Sequence, residues 1–262
     1  MTPPAFFVYN AIGVHNIRSL SVYIPRTISG VLHRASSLFP VILITGPRQV
    51  GKTTCLRHSA EPKRTYVTLD DPQARALAKE DAGLFLQRFV PPLLIDEIQY
   101  SPELLPLIKM AVDQGAEKGA FWLTGSQQFH LMAGVSESLA GRVGILRLLG
   151  FSSRELSGEA ARARPFSPRT AKPGNEEPLR LLDLYERIWR GAFPAIALDA
   201  RMDRDLFYGS YVQTYLQRDV RALVNVGDEL GFMKFLRVAA ARTGQLLNMA
   251  DMARDADIAP NT

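Results

Sequence analysis

The stretch "VILITGPRQVGKTT", residues 41 to 54, constrains this chain more than any other. It joins a continuous apolar run to a helix-like segment through a loop flanked by Gly46 and Gly51 and followed by Lys52 and Thr53. Strand, loop and helix in that order give the context in which G-x-x-x-x-G-K-[ST] has physical meaning. The glycines allow a tight loop whose backbone N–H groups converge on phosphate oxygens, and the helix N-terminus adds positive potential. Lys52 then reaches the β- and γ-phosphates, while the Thr53 hydroxyl ligates Mg²⁺. The expected nucleotide-binding set is Gly46, Pro47, Arg48, Gln49, Val50, Gly51, Lys52, Thr53 and Thr54. Thr54 closes that set, but its side chain, like those of Cys55 and Leu56, is assigned to helix packing.

Five short apolar runs alternate with helix-like segments: 40 to 45, 64 to 69, 91 to 96, 120 to 125 and 143 to 149. Such alternation predicts a parallel sheet with helices on its faces. In "SPELLPLIKMAVDQG", Ser101 is the expected N-cap and Pro102 the first helical residue. Leu104, Leu107, Ile108, Ala111 and Val112 keep helical spacing on an amphipathic crossover helix. With 262 residues, 47% of them hydrophobic, the chain can fill one large or two small cores. The Pro-, Gly- and charge-rich stretch from Ser157 to Pro178 reads as a linker. Helical spacing then resumes, with Leu182, Tyr185, Ile188 and Trp189 on one face and Phe207, Tyr211 and Tyr215 on another.

Three further motifs carry chemistry. "PPLLIDEIQ" is an apolar strand ending in two carboxylates: Asp96 in the Mg²⁺ shell, holding a water or the Thr53 hydroxyl, and Glu97 as general base on the attacking water. "FWLTGSQQ" ends a strand with Thr124 and Ser126, either of which can meet the γ-phosphate or the lytic water at the sheet's C-terminal edge. "SLAGRVGILRLL" sets Arg142 just before the fifth strand, where an arginine can act on a neighbouring subunit's nucleotide.

Charge and composition exclude other classes. Lys and Arg number 31 against 26 Asp and Glu, a formal charge of +5 that admits a polyanionic partner. The single cysteine excludes an internal disulfide and fits a reducing cytoplasm. No His spacing suggests zinc, no apolar run is long enough for a spanning helix, and the opening "AFFVYNAIGV" lacks the flanks of a signal peptide. No base-reading N/TKxD-like motif appears, so adenine is the expected base.

Together these residues resemble the AAA+ superfamily of P-loop ATPases, and within it the prokaryotic AAA family ATPases whose C-terminal half is a domain of unknown function. The resemblance is carried by "YIPR", "GPRQVGKTT", "LIDEIQ", "LTGS", "SLAGR" followed by "FSSREL", "GAFPA", "YVQTYLQRDVRAL" and "TGQLLN", over about residues 22 to 260. It implies a central phosphate-loop strand, ATP and Mg²⁺ as ligands, and Lys52 and Thr53 as Walker A residues. It further implies Asp96 and Glu97 as the Walker B pair, Thr124 or Ser126 as sensor, and Arg142 as a finger within a homo-oligomer.

The expected organisation is an N-terminal extension at 1–35, an ATPase core at 36–156, a linker at 157–178, a helical lid at 179–228 and the start of a winged helix at 229–262. Family members run on further, so the chain is expected to be C-terminally truncated before a recognition helix, with Leu246, Leu247 and Met252 left without neighbours. Asp257 stands where glycine would ease a tight turn. The expected function is Mg²⁺-dependent ATP hydrolysis in the cytoplasm coupled to a partner protein or DNA. The alternative is a nucleotide-binding module or remnant with little turnover of its own. Arg218 and Asp219 are expected to form an ion pair at a domain interface.

Overall fold

A computed structural model describes residues 23–126, 134–135, 137–162, 180–215 and 229–258. Five of its strands, β1 (Val41–Thr45), β2 (Thr65–Thr68), β3 (Leu93–Asp96), β4 (Phe121–Gly125) and β5 (Val143–Arg147), fall inside the five apolar runs. All pairings are parallel, in the order β2-β3-β4-β1-β5, so the phosphate-loop strand lies inside the sheet between β4 and β5, one place from the centre, which β4 occupies. Both neighbours of β1 come from far along the chain, with Val41 opposite Phe121 on one side and Val143 on the other.

Alternate residues of the strands feed two cores, as the period of a pleated strand requires. Val41, Leu43, Leu93, Ile95, Phe121 and Leu123 pack with Ala78 of α3 (Pro72–Glu80), Phe85 of α4 (Ala82–Arg88) and Ile108 of α5 (Leu104–Asp113). Ile42, Ile44, Leu94 and Trp122 pack on the opposite face with Leu32 of α1 (Ile28–Leu38) and with Cys55 and Leu56 of α2 (Lys52–Ser59). Residues 23–35 were expected outside the core. Instead α1 covers one face of the sheet, because Leu32 repeats the apolar side of an amphipathic helix there. The crossover helix begins at Leu104, not at Pro102, and Ser101 does not cap it through its side chain. The Ser101 carbonyl instead accepts the Leu104 N–H at 3.2 Å, and its hydroxyl is buried.

Beyond β5, Ser152 and Glu155 form a capping box on the short helix Ser153–Leu156. The linker expected at 157–178 is described only as far as Arg162, with a 3₁₀ turn at Ala160–Arg162. Helices Leu181–Arg190, Pro194–Leu198 and Arg204–Tyr215 follow. Phe207 and Tyr211 pack on Phe193, with ring centroids 5.8 and 4.9 Å away, which agrees with a packing face. The Tyr215 side chain, Arg218 and Asp219 lie outside the described residues. Leu182, Tyr185, Ile188 and Trp189 do share a helix face, but that face is exposed. Spacing fixes which residues face together and says nothing of what covers them.

At the C-terminal end, helices Glu229–Ala241 and Met249–Ala256 pair. Leu246 and Leu247 are exposed as expected, whereas Met252 is buried in this pair. Asp257 adopts the left-handed conformation directly, at φ 56°. Its N–H and that of Ile258 bond back to the Arg254 and Ala253 carbonyls, which offsets the strain of a non-glycine residue there. Among the described residues no helix is long and apolar enough to cross a membrane.

Candidate functional site

Because every strand is parallel, the ends of β1, β3 and β4 open on one edge of the sheet, and the loops after them carry most of the residues singled out by sequence. Gly46 leaves β1 at φ 145°, and a Cβ there would stand 2.0 Å from the Leu148 carbonyl oxygen. The loop then turns through Gln49 at φ 61° and Gly51 at φ 89°, the latter capping α2. Two left-handed residues within three positions wind the loop so that the N-terminus of α2, beginning at Lys52, faces it. Gly46→Ala forces the loop away from β5, and the expected result is a destabilisation of about 3 kcal/mol, the upper end for overpacking. A urea midpoint that does not move would show that the loop parts from Leu148 without cost.

Lys52 is buried, and its Nζ donates to the Gly46 and Pro47 carbonyls at 3.1 and 2.9 Å. Its side chain therefore lies along the inside of the loop. Thr53, one residue on, donates its hydroxyl to Asp96 Oδ1 at 2.8 Å. The Thr124 hydroxyl donates to the same oxygen and accepts the Glu97 N–H at 3.0 Å, so one side chain on β4 fixes both members of the acidic pair. Glu97 itself is left-handed at φ 59°, ψ 47°, and its carboxylate accepts from the Gln99 amide. A non-glycine residue in that region costs roughly 1–2 kcal/mol, a strain typical of sites where geometry serves chemistry.

Ser126 follows β4, buried, and its hydroxyl has no hydrogen-bond partner among the described residues. Thr54, expected to pack, is exposed on α2, whereas Cys55 and Leu56 are buried: the helix turns position 54 outward. Arg142 is not at this edge. Its carbonyl accepts the Val41 N–H, which puts it at the opposite end of β1, and its guanidinium pairs with Asp113 at 2.6 Å. Five strand residues at about 3.3 Å each separate the two edges, so Arg142 cannot reach a nucleotide held by its own chain.

Sequence reasoning missed two residues that hold this site. Arg26, in the "YIPR" stretch, is buried and donates to the Val50 carbonyl of the loop at 2.8 Å and to the Leu149 carbonyl at 2.6 Å. It also pairs with Glu155 at 3.1 Å. Burial would push the Glu155 carboxyl up, but the Ser152 and Thr27 N–H groups and the Arg26 charge outweigh it and hold it low. Tyr66 on β2 donates to Asp96 Oδ2 at 3.2 Å. Arg26 and Glu155 both stand in stretches that carry the family resemblance, "YIPR" and "FSSREL", but their pairing, like that of Tyr66 with Asp96, joins segments far apart in sequence.

The loop geometry fits a phosphate group: left-handed turns and a helix N-terminus around a lysine supply donors and positive potential. The donors of the Thr53–Asp96 pair are hard oxygens with a single carboxylate, and the described residues contain no cluster of three or more His, Cys, Asp or Glu able to hold a metal. That set suits Mg²⁺, which keeps waters and phosphate oxygens as ligands, and does not suit zinc or a calcium cage.

Comparison with known proteins adds an independent finding. Residues 38–157 match the AAA domain family, and residues 181–262 match a domain of unknown function (DUF8612). The chain is 31% identical over 242 residues to uncharacterised proteins of Mycobacterium tuberculosis and Mycobacterium bovis. That similarity covers 90% of this chain and 49% of theirs, so the chain spans about half the length of the curated relatives it matches. Among solved structures it is similar to a Walker-type ATPase of Pyrococcus abyssi (14% identical, 89% of this chain and 91% of that one, TM-score 0.47). It is also similar to the ADP form of the ORC2 protein of Aeropyrum pernix (15% identical, 90% and 81%, TM-score 0.42).

Proposed function

We propose that this chain, whose residues 38–157 match the AAA domain family and whose residues 181–262 match a domain of unknown function, is a nucleotide-binding P-loop protein that hydrolyses ATP with Mg²⁺. The observation that carries the reading is the convergence of Lys52, Thr53, Asp96, Glu97 and Thr124 on one sheet edge, tied together by the Thr53–Asp96 and Thr124–Asp96 hydrogen bonds. The set Gly46, Pro47, Arg48, Gln49, Val50, Gly51, Lys52, Thr53 and Thr54 holds the phosphates, chiefly through backbone N–H groups and the Lys52 ammonium. Thr53 and Asp96 hold Mg²⁺, which when bound neutralises charge on the β- and γ-phosphates.

Glu97 accepts a proton from the attacking water as its oxygen bonds to the γ-phosphorus and the bond to the β–γ bridging oxygen breaks. Thr124 orients Glu97 by accepting its N–H, and Ser126 offers a hydroxyl to the same edge. Arg142, at the far edge, acts on the nucleotide of a neighbouring copy in a homo-oligomer. The enzyme works in the cytoplasm, where its one buried thiol stays reduced. Its helical half, residues 179–228 as a lid and 229–262 as the start of a winged helix, passes the nucleotide state to a partner protein or DNA.

The test is ATP binding and steady-state hydrolysis with Mg²⁺ as a function of protein concentration, with and without duplex DNA, for the parent, Lys52→Ala and Arg142→Ala. Expected are nucleotide affinity weakened at least tenfold in Lys52→Ala, and turnover per site that rises with concentration in the parent but not in Arg142→Ala. Unweakened binding in Lys52→Ala would remove the phosphate-loop reading. Constant turnover on dilution would remove the action in trans alone.

A further inference from the structure

Tyr66 belongs to no motif, yet it reaches the centre of the candidate site. On β2, Tyr66 pairs with Leu94 and Thr68 pairs with Asp96, so Tyr66, Leu94 and Asp96 lie on one face of the sheet. That is the face α2 covers, and the ring rises along it until its hydroxyl meets Asp96 Oδ2 at 3.2 Å. The other carboxylate oxygen, Oδ1, takes the Thr53 and Thr124 hydroxyls. Three donors from three elements therefore fix the Asp96 plane, two on one oxygen and one on the other.

The ring is held in turn from α2. Arg57 stands one helical turn after Thr53 on the same helix face, with its guanidinium carbon 4.8 Å from the Tyr66 ring centroid. In that hydrogen bond the phenol O–H is the donor and Asp96 the acceptor.

We propose that Tyr66 is a positioning residue for Mg²⁺: its hydrogen bond sets the Asp96 carboxylate plane, and with it the share of nucleotide affinity that depends on the metal. This rests on the phosphate-loop reading above. Without the phenol, Asp96 keeps two donors on one oxygen and rotates about them, so its free edge no longer presents one orientation to the metal's water shell.

The experiment is ADP binding to the parent and to Tyr66→Phe, each titrated once with Mg²⁺ and once with EDTA. ADP removes turnover from the readout. The variant keeps the ring, which is 37% exposed, so the fold is retained. Expected is a metal-dependent gain in affinity that falls about tenfold in Tyr66→Phe, the loss of one hydrogen bond to a charged group, with the EDTA affinity unchanged. An unchanged gain would overturn the role of Tyr66 and leave the nucleotide site standing. Equal weakening with and without metal would also overturn it, as a packing effect. A parent that binds no ADP in either buffer would bring down the phosphate-loop reading, and this inference with it.

Discussion

Glu97→Gln lowers the ATP turnover number by a factor of roughly 10²–10⁴, the range that general-base catalysis contributes, while nucleotide affinity stays within about twofold. The substitution is chosen because glutamine keeps the shape of the side chain and an oxygen for the Gln99 amide, and removes only the capacity to take a proton. The backbone stays where the Thr124 hydroxyl accepts its N–H. A loss confined to the turnover number therefore reports chemistry rather than position. Steady-state hydrolysis alongside nucleotide titration makes the separation. A variant that turns over at the parent's rate would end the assignment of Glu97 as base and leave Asp96 and Lys52 untouched.

Arg26→Ala destabilises the fold by about 3–5 kcal/mol, the cost of leaving one partner of a buried ion pair behind. Both side chains are nearly inaccessible, at 4% and 6% exposure, so solvent does not screen the loss. The substitution also strips donors from the Val50 and Leu149 carbonyls. Acid pH provides the control. Glu155 titrates lower folded than unfolded, so its stabilising share is present above the usual carboxylate pKa of about 4.3 and is lost as pH falls through the lower, folded value. Without Arg26 the carboxylate is buried with fewer partners, and protonation relieves it. The gap between parent and variant in urea unfolding should therefore narrow below about pH 4. A gap that stays constant with pH would show that the carbonyl contacts, and not the ion pair, carry the effect.

The sheet was legible because its signal is local and redundant. β1, β3 and β4 open on unbroken apolar runs, VILI, LLI and FWL, and each of the strands at 41–45, 93–96 and 121–125 ends in small or charged residues that sit where the next turn must begin. The loop from Gly46 to Thr53 was legible for the same reason: the spacing that defines it is the spacing that builds it. What escaped was reach. Arg26 and Glu155 are brought together only by the closing of the sheet, and a phenol on β2 meets Asp96 only because β2 and β3 pair in one particular register. Ser101 failed as a cap for a subtler reason. Pro102 and Glu103 form a turn before the helix and Glu103 takes the cap position, so the Ser101 hydroxyl sits two residues too early to receive a helical N–H. Helix Leu181–Arg190 shows the limit from the other side, since a clean periodic face was readable while its exposure was not.

The order of strands also sets the order of birth. A ribosome releases Val41–Thr45 before either strand that flanks it exists, since those partners begin at Phe121 and Val143. The first neighbours to emerge together are β2 and β3, which can pair while the phosphate-loop strand still waits, apolar and unpaired on both edges. For the span of synthesis between them, this apolar strand is an aggregation-prone part of the nascent chain.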